Sequence, residues 1–189
     1  MEIELSMARK SSGIFFLRKT VATSTDGTFT QDNLDISSFV NLTDGECLRV
    51  RNIWFEWTDT DNLPIHGIDV GASGAAKGAS MGGQITTDSK STLHSFGATG
   101  MVAKNNLYAH IGAVADLDFI AQDTGLNPYD FKDGYIVATD AIYFGTMPTN
   151  GGAAYRFATS LNMTVLLECE TVKLSKEDAT ALLVGQTLG

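Results

Sequence analysis

The clearest pattern in the chain is a two-faced run near its C-terminus, over residues 155–169. Most odd positions are apolar, among them Phe157, Leu161 and Val165, while most even positions are polar. Side chains alternate between faces along a strand, so the run predicts a long strand with one apolar and one polar face. At about 3.3 Å per residue it would span roughly 50 Å, so it belongs to a large antiparallel sandwich or bends to serve two sheets.

Shorter extended runs precede it, separated by turn dipeptides such as Asp26-Gly27. The apolar positions of one run change parity between Val50 and Ile53, which predicts a β-bulge near Asn52 or a strand buried on both faces. About eight strands with no repeated strand–helix alternation indicate an all-β sandwich or barrel. The predicted strands cover 12–24, 28–40, 47–58, 64–70, 93–104, 107–119, 134–139 and 141–147.

Two segments depart from the strand pattern. Residues 71–83 are rich in glycine and alanine and predict an exposed, flexible loop. Ser175 begins a helix-capping pattern, and Ala179, Leu182 and Leu183 follow at helical spacing. They predict one short helix, which packs on its own sandwich or against a neighbour because a short helix is marginal in isolation.

Length and charge restrict the classes of protein that fit. A chain of 189 residues is most simply one domain, here divided into a basic arm (1–12), a sandwich (13–174) and a helical tail (175–189). The net charge of −9 argues against a protein whose main function is to bind nucleic acid. Positive charge is nevertheless concentrated near the start, and this cluster is either a solvated end or a short arm that faces an anionic surface such as packaged nucleic acid. The cluster consists of Arg9, Lys10, Arg18 and Lys19.

The sequence contains few groups that suggest catalysis, and we assign no catalytic residue. Ser80 lies in a Gly-x-Ser-x-Gly match, but neither the preceding nor the following residues form the strand–turn–helix that a nucleophile elbow needs. His66, His94 and His110 lack the short spacing of zinc sites, so we predict neither a metal nor a cofactor.

Both cysteines fall in predicted strands. Cys47 and Cys169 are therefore expected to be buried free thiols rather than a disulfide. We therefore do not expect the protein to function in an oxidising compartment.

The aromatic residues of the third predicted strand are expected to form core rather than a ligand platform. Ile53, Phe55 and Trp57 share one face of that strand, and Trp54 falls on the other. Trp54 is therefore our candidate for a contact with another sheet or subunit. Leu182 and Leu183 of the C-terminal helix are further candidates for subunit contacts.

Several segments together resemble the strands of viral jelly-roll capsid proteins, from tailless viruses that infect prokaryotes. The resemblance lies in residues 34–40 (LDISSFV), 44–51 (DGECLRVR) and 133–144 (DGYIVATDAIYF), and in the strand and turn rhythm of the whole chain. It implies an all-β, jelly-roll-like antiparallel β-sandwich with a short C-terminal helix. The acidic balance departs from the strongly basic arms of many single-stranded RNA virus capsid proteins. This favours a virus whose genome is shielded from the shell, for example by a membrane, or packaged by other means.

The same resemblance implies a function in the virion. The chain would be a capsid protein, made in the host cytoplasm, that assembles with copies of itself and with other virion proteins. Its basic cluster would lie on the inner face of the shell, in weak contact with packaged nucleic acid or an internal membrane. No small-molecule substrate is implied.

Two other functions fit parts of the sequence. A β-sandwich can be a binding module for glycans or cell surfaces, including a viral decoration or fibre domain; exposed aromatic residues in a concave patch would favour it. A hydrolase that uses Ser80 is the other alternative, and it would react with an active-serine probe.

Overall fold

The computed structural model describes residues 13–71, 77–112, 117–148 and 156–187, and within these ranges most of the regular structure is β-strand. A 3₁₀ turn, Pro128–Asp130, lies between two of the strands. The strands are β1 (Phe15–Ala22), β2 (Thr30–Asp35), β3 (Glu46–Thr58), β4 (Lys77–Thr86), β5 (Met101–Ile111), β6 (Leu117–Leu126), β7 (Tyr135–Val137), β8 (Ala141–Pro148) and β9 (Asn162–Lys173), and the helices are α1 (Gly67–Val70) and α2 (Lys176–Thr187).

The strands form two antiparallel sheets with a distinctive order. The four-stranded sheet has the order β1-β9-β3-β7, and the five-stranded sheet has the order β2-β8-β4-β5-β6. Four of the pairs are nested, since β1 pairs with β9, β2 with β8, β3 with β7 and β4 with β5. A long two-stranded ribbon that wraps around a sandwich produces this order, which is the jelly roll. The predicted all-β, jelly-roll-like sandwich with a C-terminal helix is therefore confirmed, and β6 is an added edge strand.

The inner faces of the two sheets bury one continuous hydrophobic core. Strand β9 contributes Met163, Val165 and Leu167, which are fully buried, and β4 contributes Met81 and Ile85 from the opposite sheet. Each such side chain contributes about 1.5–3 kcal/mol when it leaves water. Alternation along β9 therefore fixes which of its faces points inward.

The two thiols lie in different hydrophobic clusters. Cys169 belongs to the core between the sheets, and Cys47 lies in a smaller cluster beneath α2. Both are buried and free, as predicted. Burial raises the pKa of the Cys47 thiol and raises the pKa of Cys169 to about 12.

The sequence patterns predicted strands β3 and β9, but placed the start of β9 too early. The register of β3 against β9 shifts between Val50 and Asn52, which confirms the predicted bulge. The predicted strand over 155–169 is wrong in its first part, because residues 156–161 form bends and irregular structure and β9 begins at Asn162. Thr23 explains this boundary, since its N–H donates to the Leu161 carbonyl (2.7 Å) and its hydroxyl accepts from the Leu161 N–H (2.8 Å).

The glycine-rich segment is not one exposed loop. From residue 77 onward it forms β4, which pairs with both β5 and β8 in the middle of the five-stranded sheet; residues 72–76 lie outside the described ranges. Gly83 explains the composition, because a Cβ there would meet the Met163 Sδ at 2.4 Å and Trp57 at 3.1 Å. The prediction of a strand over 64–70 is also wrong, since residues 67–70 form α1, where the Asp69 carboxylate accepts from the His66 N–H.

Candidate assembly and binding surfaces

The outer face of the four-stranded sheet carries an aromatic patch, made of Ile14, Phe16 and Trp54. These side chains are 51%, 57% and 45% exposed. The rings of Phe16 and Trp54 lie 6.4 Å apart, on strands that both pair with β9. Contiguous exposed apolar side chains are a candidate interaction surface, because isolated soluble domains rarely leave such groups in water.

Trp54 has the exposure that strand alternation predicts. Its neighbours Ile53 and Trp57 are buried in the core, while Trp54 points to the outer face. A contact between Trp54 and another subunit stays a prediction.

The opposite side of the sandwich carries a second set of exposed apolar groups, the β6 patch, made of Tyr108 and Phe119. These side chains are 40% and 52% exposed. The His110 ring stacks on Phe119, with 5.9 Å between the ring centroids. Register places all three on the outer face of the five-stranded sheet, because His110 is opposite Phe119 and the inward-facing residues of β5 alternate with them. Sequence patterns gave no sign of this patch, since it depends on β6 being an edge strand.

A polar groove of about 690 Å³, here called the outer groove, lies at the other end of the four-stranded sheet's outer face. Its floor holds two cross-strand ion pairs, Arg49 with Glu170 (Nη1–Oε1 3.1 Å) and Arg51 with Glu168 (Nε–Oε1 4.0 Å). The Arg49 Nε is buried and has no hydrogen-bond partner among the described residues. Tyr129, which is 76% exposed, stands on the groove wall. The groove thus combines fixed charges with an aromatic face, a combination suited to a polar ligand.

The basic cluster is only partly described. Arg9 and Lys10 lie outside the described residues, while Arg18 and Lys19 are consecutive in β1 and point to opposite faces of the sheet. Lys19 forms an ion pair of 2.5 Å with Asp32 of β2, and this hydrogen bond lowers the pKa of Asp32. Of the two described members of the cluster, Arg18 is exposed and Lys19 is paired. A nucleic-acid or membrane contact of the cluster stays a prediction.

Helix α2 packs on its own sandwich. Leu182 and Leu183 are half-buried against the small cluster that contains Cys47 and Ala138. At the N-terminus of the helix the Ser175 hydroxyl accepts from the Asp178 N–H (3.1 Å), as the capping pattern predicts. Contacts of Leu182 and Leu183 with another subunit remain a prediction.

The residues considered for catalysis are not arranged as an active site. Ser80 lies inside β4 opposite Tyr108, not on a turn between a strand and a helix. Within the described part of the chain, no group of three or more His, Cys, Asp or Glu side chains is placed to hold a metal ion. Across the same residues, no helix is long and apolar enough to cross a membrane.

Comparisons with known proteins show similarity to solved structures but no match to a protein family or a curated protein. Among solved structures the chain is similar to VP1 of Trichodysplasia spinulosa-associated polyomavirus, determined in complex with GM1 oligosaccharide. The sequences are 10% identical, the match covers 88% of this chain and 96% of that chain, and the TM-score is 0.44. The jelly-roll assignment rests on the strand order of this chain.

Proposed function

We propose that this chain is a virion structural protein, a capsid protein that assembles with copies of itself through the sides of its sandwich. The observation that carries the proposal is the pair of exposed apolar surfaces on opposite sides of the molecule, the aromatic patch and the β6 patch. A jelly roll supplies a rigid unit with two broad faces, because its inner faces bury a common core.

Contact between two different surfaces has a geometric consequence. When the aromatic patch of one copy meets the β6 patch of the next, the first copy keeps its β6 patch free and the second keeps its aromatic patch free. Such head-to-tail contacts close into rings or continue into larger assemblies. Charge supports this pairing, since the exposed Arg18 lies in the strand that carries Phe16 and the exposed Asp123 lies in the strand that carries Phe119. Opposite charges at an interface favour the correct orientation.

The finer parts of the proposal follow from the resemblance of this chain to viral jelly-roll capsid proteins. The virus would be tailless and would infect a prokaryote, and the chain would be made in the host cytoplasm before it enters the virion. Other virion proteins are further partners. Arg9 and Lys10 would face the interior of the shell, in contact with packaged nucleic acid or an internal membrane.

The test is the particle size of the purified full chain across concentration and salt, by light scattering and negative-stain imaging. We expect rings, sheets or closed shells. Trp54→Glu and Phe119→Glu should each abolish them, because either change places a charge at the contact. Leu63→Glu is the matched control, since Leu63 is 52% exposed and belongs to neither patch. A chain that stays monomeric under every condition, alone and with other virion proteins, would contradict the proposal.

A second candidate function is glycan binding at the outer groove. The observation that favours it is an exposed aromatic ring, Tyr129, beside the charged side chains of Arg51 and Glu168. Sugars stack their apolar faces on aromatic rings and bind carboxylate and guanidinium groups through their hydroxyls. The chain would then act as a cell-surface binding module, such as a decoration or fibre domain.

Glycan binding is tested by a glycan array followed by calorimetry on each bound sugar. Binding that is lost in Tyr129→Ala and kept in Tyr108→Ala, an exposed tyrosine outside the groove, would support this candidate. An array without a bound glycan would exclude it.

A further inference from the structure

Strand β3 has a free edge over its second half. Strand β9 pairs with β3 along its whole length, from Glu46 to Thr58. On the other side, β7 pairs only with Leu48–Val50. Beyond the bulge at Asn52, this side of β3 therefore has no strand partner among the described residues. Free strand edges are templates for pairing with another extended chain.

Two side chains from the β6 region partly replace the missing strand. The Asn127 side chain accepts from the Ile53 N–H (3.3 Å) and donates to the Ile53 carbonyl (2.6 Å). Further along, the Gln122 Nε2 donates to the Phe55 carbonyl (3.0 Å). Hydrogen-bonded pairs alternate in antiparallel strands, so Phe55 and Trp57 present their main-chain groups in the same direction as Ile53, away from β9. This leaves the Phe55 N–H and both main-chain groups of Trp57 directed at the free edge.

The free edge opens into a trough because β6 extends beyond the four-stranded sheet. Two adjoining cavities, of about 550 and 370 Å³, follow the edge and are both lined by Gln122. The smaller one is mainly apolar. Ile120 lies in this cavity, pairs with the inward-facing Ala109 and is still 44% exposed. The cavity is lined by Trp57, Pro64, Ile65, Leu107, Ile120, Ala121 and Gln122. The trough thus places main-chain groups that have no strand partner among the described residues beside an apolar wall.

We propose that this trough binds an extended peptide segment as an added strand, and that the segment is residues 1–7 of a neighbouring copy. Main-chain groups of Phe55 and Trp57 would pair with the segment, and the apolar cavity would receive its alternate side chains. The exchange between copies rests on the proposed assembly function, since it requires that copies meet.

The sequence of the segment matches such a site. Residues 1–7 read Met-Glu-Ile-Glu-Leu-Ser-Met, with apolar residues at every odd position and polar residues at every even one. As a strand this segment has one apolar face, and at about 3.3 Å per residue it spans roughly 23 Å, enough to follow the free edge. The segment precedes β1, which lies on the far side of β9 from β3. The segment can therefore extend from β1 to a neighbouring copy's trough without crossing the outer face of the sheet to which β1 belongs.

The first experiment measures binding of a fluorescent peptide with the sequence of residues 1–8 by anisotropy. The receptor is the full chain carrying Ile3→Asp and Leu5→Asp, which keeps its own segment out of the trough. We expect saturable binding that Ile120→Glu weakens at least tenfold. Val184→Glu is the control, because Val184 is 47% exposed on α2 and lines neither cavity, and it should leave binding unchanged. No binding, or equal losses in the two variants, would overturn the proposal.

A second experiment identifies the source of the segment. Full chains carrying Leu5→Cys are mixed with full chains carrying Gln122→Cys and oxidised mildly; the native thiols are buried. A disulfide-linked pair of chains is the expected result. A chain that carries both changes and forms an internal disulfide, with no linked pairs in the mixture, would overturn the exchange between copies.

The two proposals can fail separately. Peptide binding without any particle would remove the capsid function and leave the trough as a strand-binding site. Particles that form with Ile120→Glu as well as with the unchanged chain would remove the strand exchange and leave the capsid function intact.

Discussion

The indole Nε1 of Trp57 donates a hydrogen bond of 2.8 Å to the Oδ1 of Asn105, and this bond joins the two sheets inside the core. Trp57 belongs to β3 and Asn105 to β5, and both side chains are buried. The Asn105 Nδ2 in turn donates to the Thr124 hydroxyl of β6 (3.1 Å). A polar network that is buried and satisfied fixes how the sheets stack, and it also ties the added strand β6 to the rest of the sandwich.

Asn105→Ala should therefore destabilise the fold by about 1–3 kcal/mol, because it leaves the indole N–H buried without a partner. The measurement is denaturant unfolding. The double variant with Trp57→Phe and Asn105→Leu removes both polar groups. Its loss of unfolding free energy should be smaller than the sum of the losses in Trp57→Phe and in Asn105→Leu alone. A cycle in which the costs simply add would show that the hydrogen bond does not couple the sheets.

Gly83→Ala should be destabilising by about 1–3 kcal/mol through overpacking. Its Cβ would lie 2.4 Å from the Met163 Sδ and 3.1 Å from Trp57, so both side chains of the opposite sheet must move. Gly78→Ala in the same strand is the control, since its Cβ would meet nothing closer than 3.9 Å. We expect that change to be neutral or slightly stabilising in thermal unfolding. Equal stability of the two variants would contradict the close approach at Gly83.

These two sites show what local sequence patterns can and cannot reveal. Alternation predicts the inward face of β9 and the bulge near Asn52, because both are set by neighbours within one strand. The role of Gly83 depends on Met163, eighty residues later, so composition alone suggests a loop where the fold has a central strand. A small residue there permits two sheets to approach.

Some residues of the candidate surfaces could likewise be predicted from the sequence and others could not. Trp54 could be placed on an outer face from the parity of its own strand. Phe119 and Tyr129 could not, since the exposure of Phe119 follows from β6 being an edge strand and that of Tyr129 from a 3₁₀ turn. The free edge of β3 could not be predicted either, since it exists only because β7 is short and pairs with three residues of β3.

Gln186 anchors α2 to the sandwich, and its loss should release the helix. Its Oε1 accepts from the Ala138 N–H (2.9 Å) and its Nε2 donates to the Ile136 carbonyl (2.6 Å). In Gln186→Ala both main-chain groups lose their partner, at a cost of about 1–3 kcal/mol. Hydrogen exchange at the Ala138 amide should accelerate strongly. Thr180→Ala removes an exposed hydroxyl from the same helix and should leave that exchange rate unchanged; acceleration in both variants would point to general fraying instead.

The Cys169 thiol should make stability fall in alkali. Burial raises its pKa to about 12, against a usual value near 9, because the thiolate would lie in an apolar core. A raised pKa gives stability that is complete below about pH 9 and is lost as pH rises towards 12. Denaturant unfolding between pH 8 and 11 should therefore show a steeper decline in the unchanged chain than in Cys169→Val. Parallel declines would contradict the assignment.

Asp26 should respond to acid in the opposite sense. Hydroxyls of Ser24 and Thr28 and the Thr28 N–H donate to its carboxylate, which lowers its pKa from 3.8 to about 2. A lowered pKa gives stability that is present above about pH 4 and is lost as pH falls through 2. Carbon-detected NMR titration should find the low pKa, and Thr28→Val should move it back towards 3.8, while Thr28→Ser should keep it low. An unchanged pKa in Thr28→Val would show that the hydroxyl does not hold the charge of this turn.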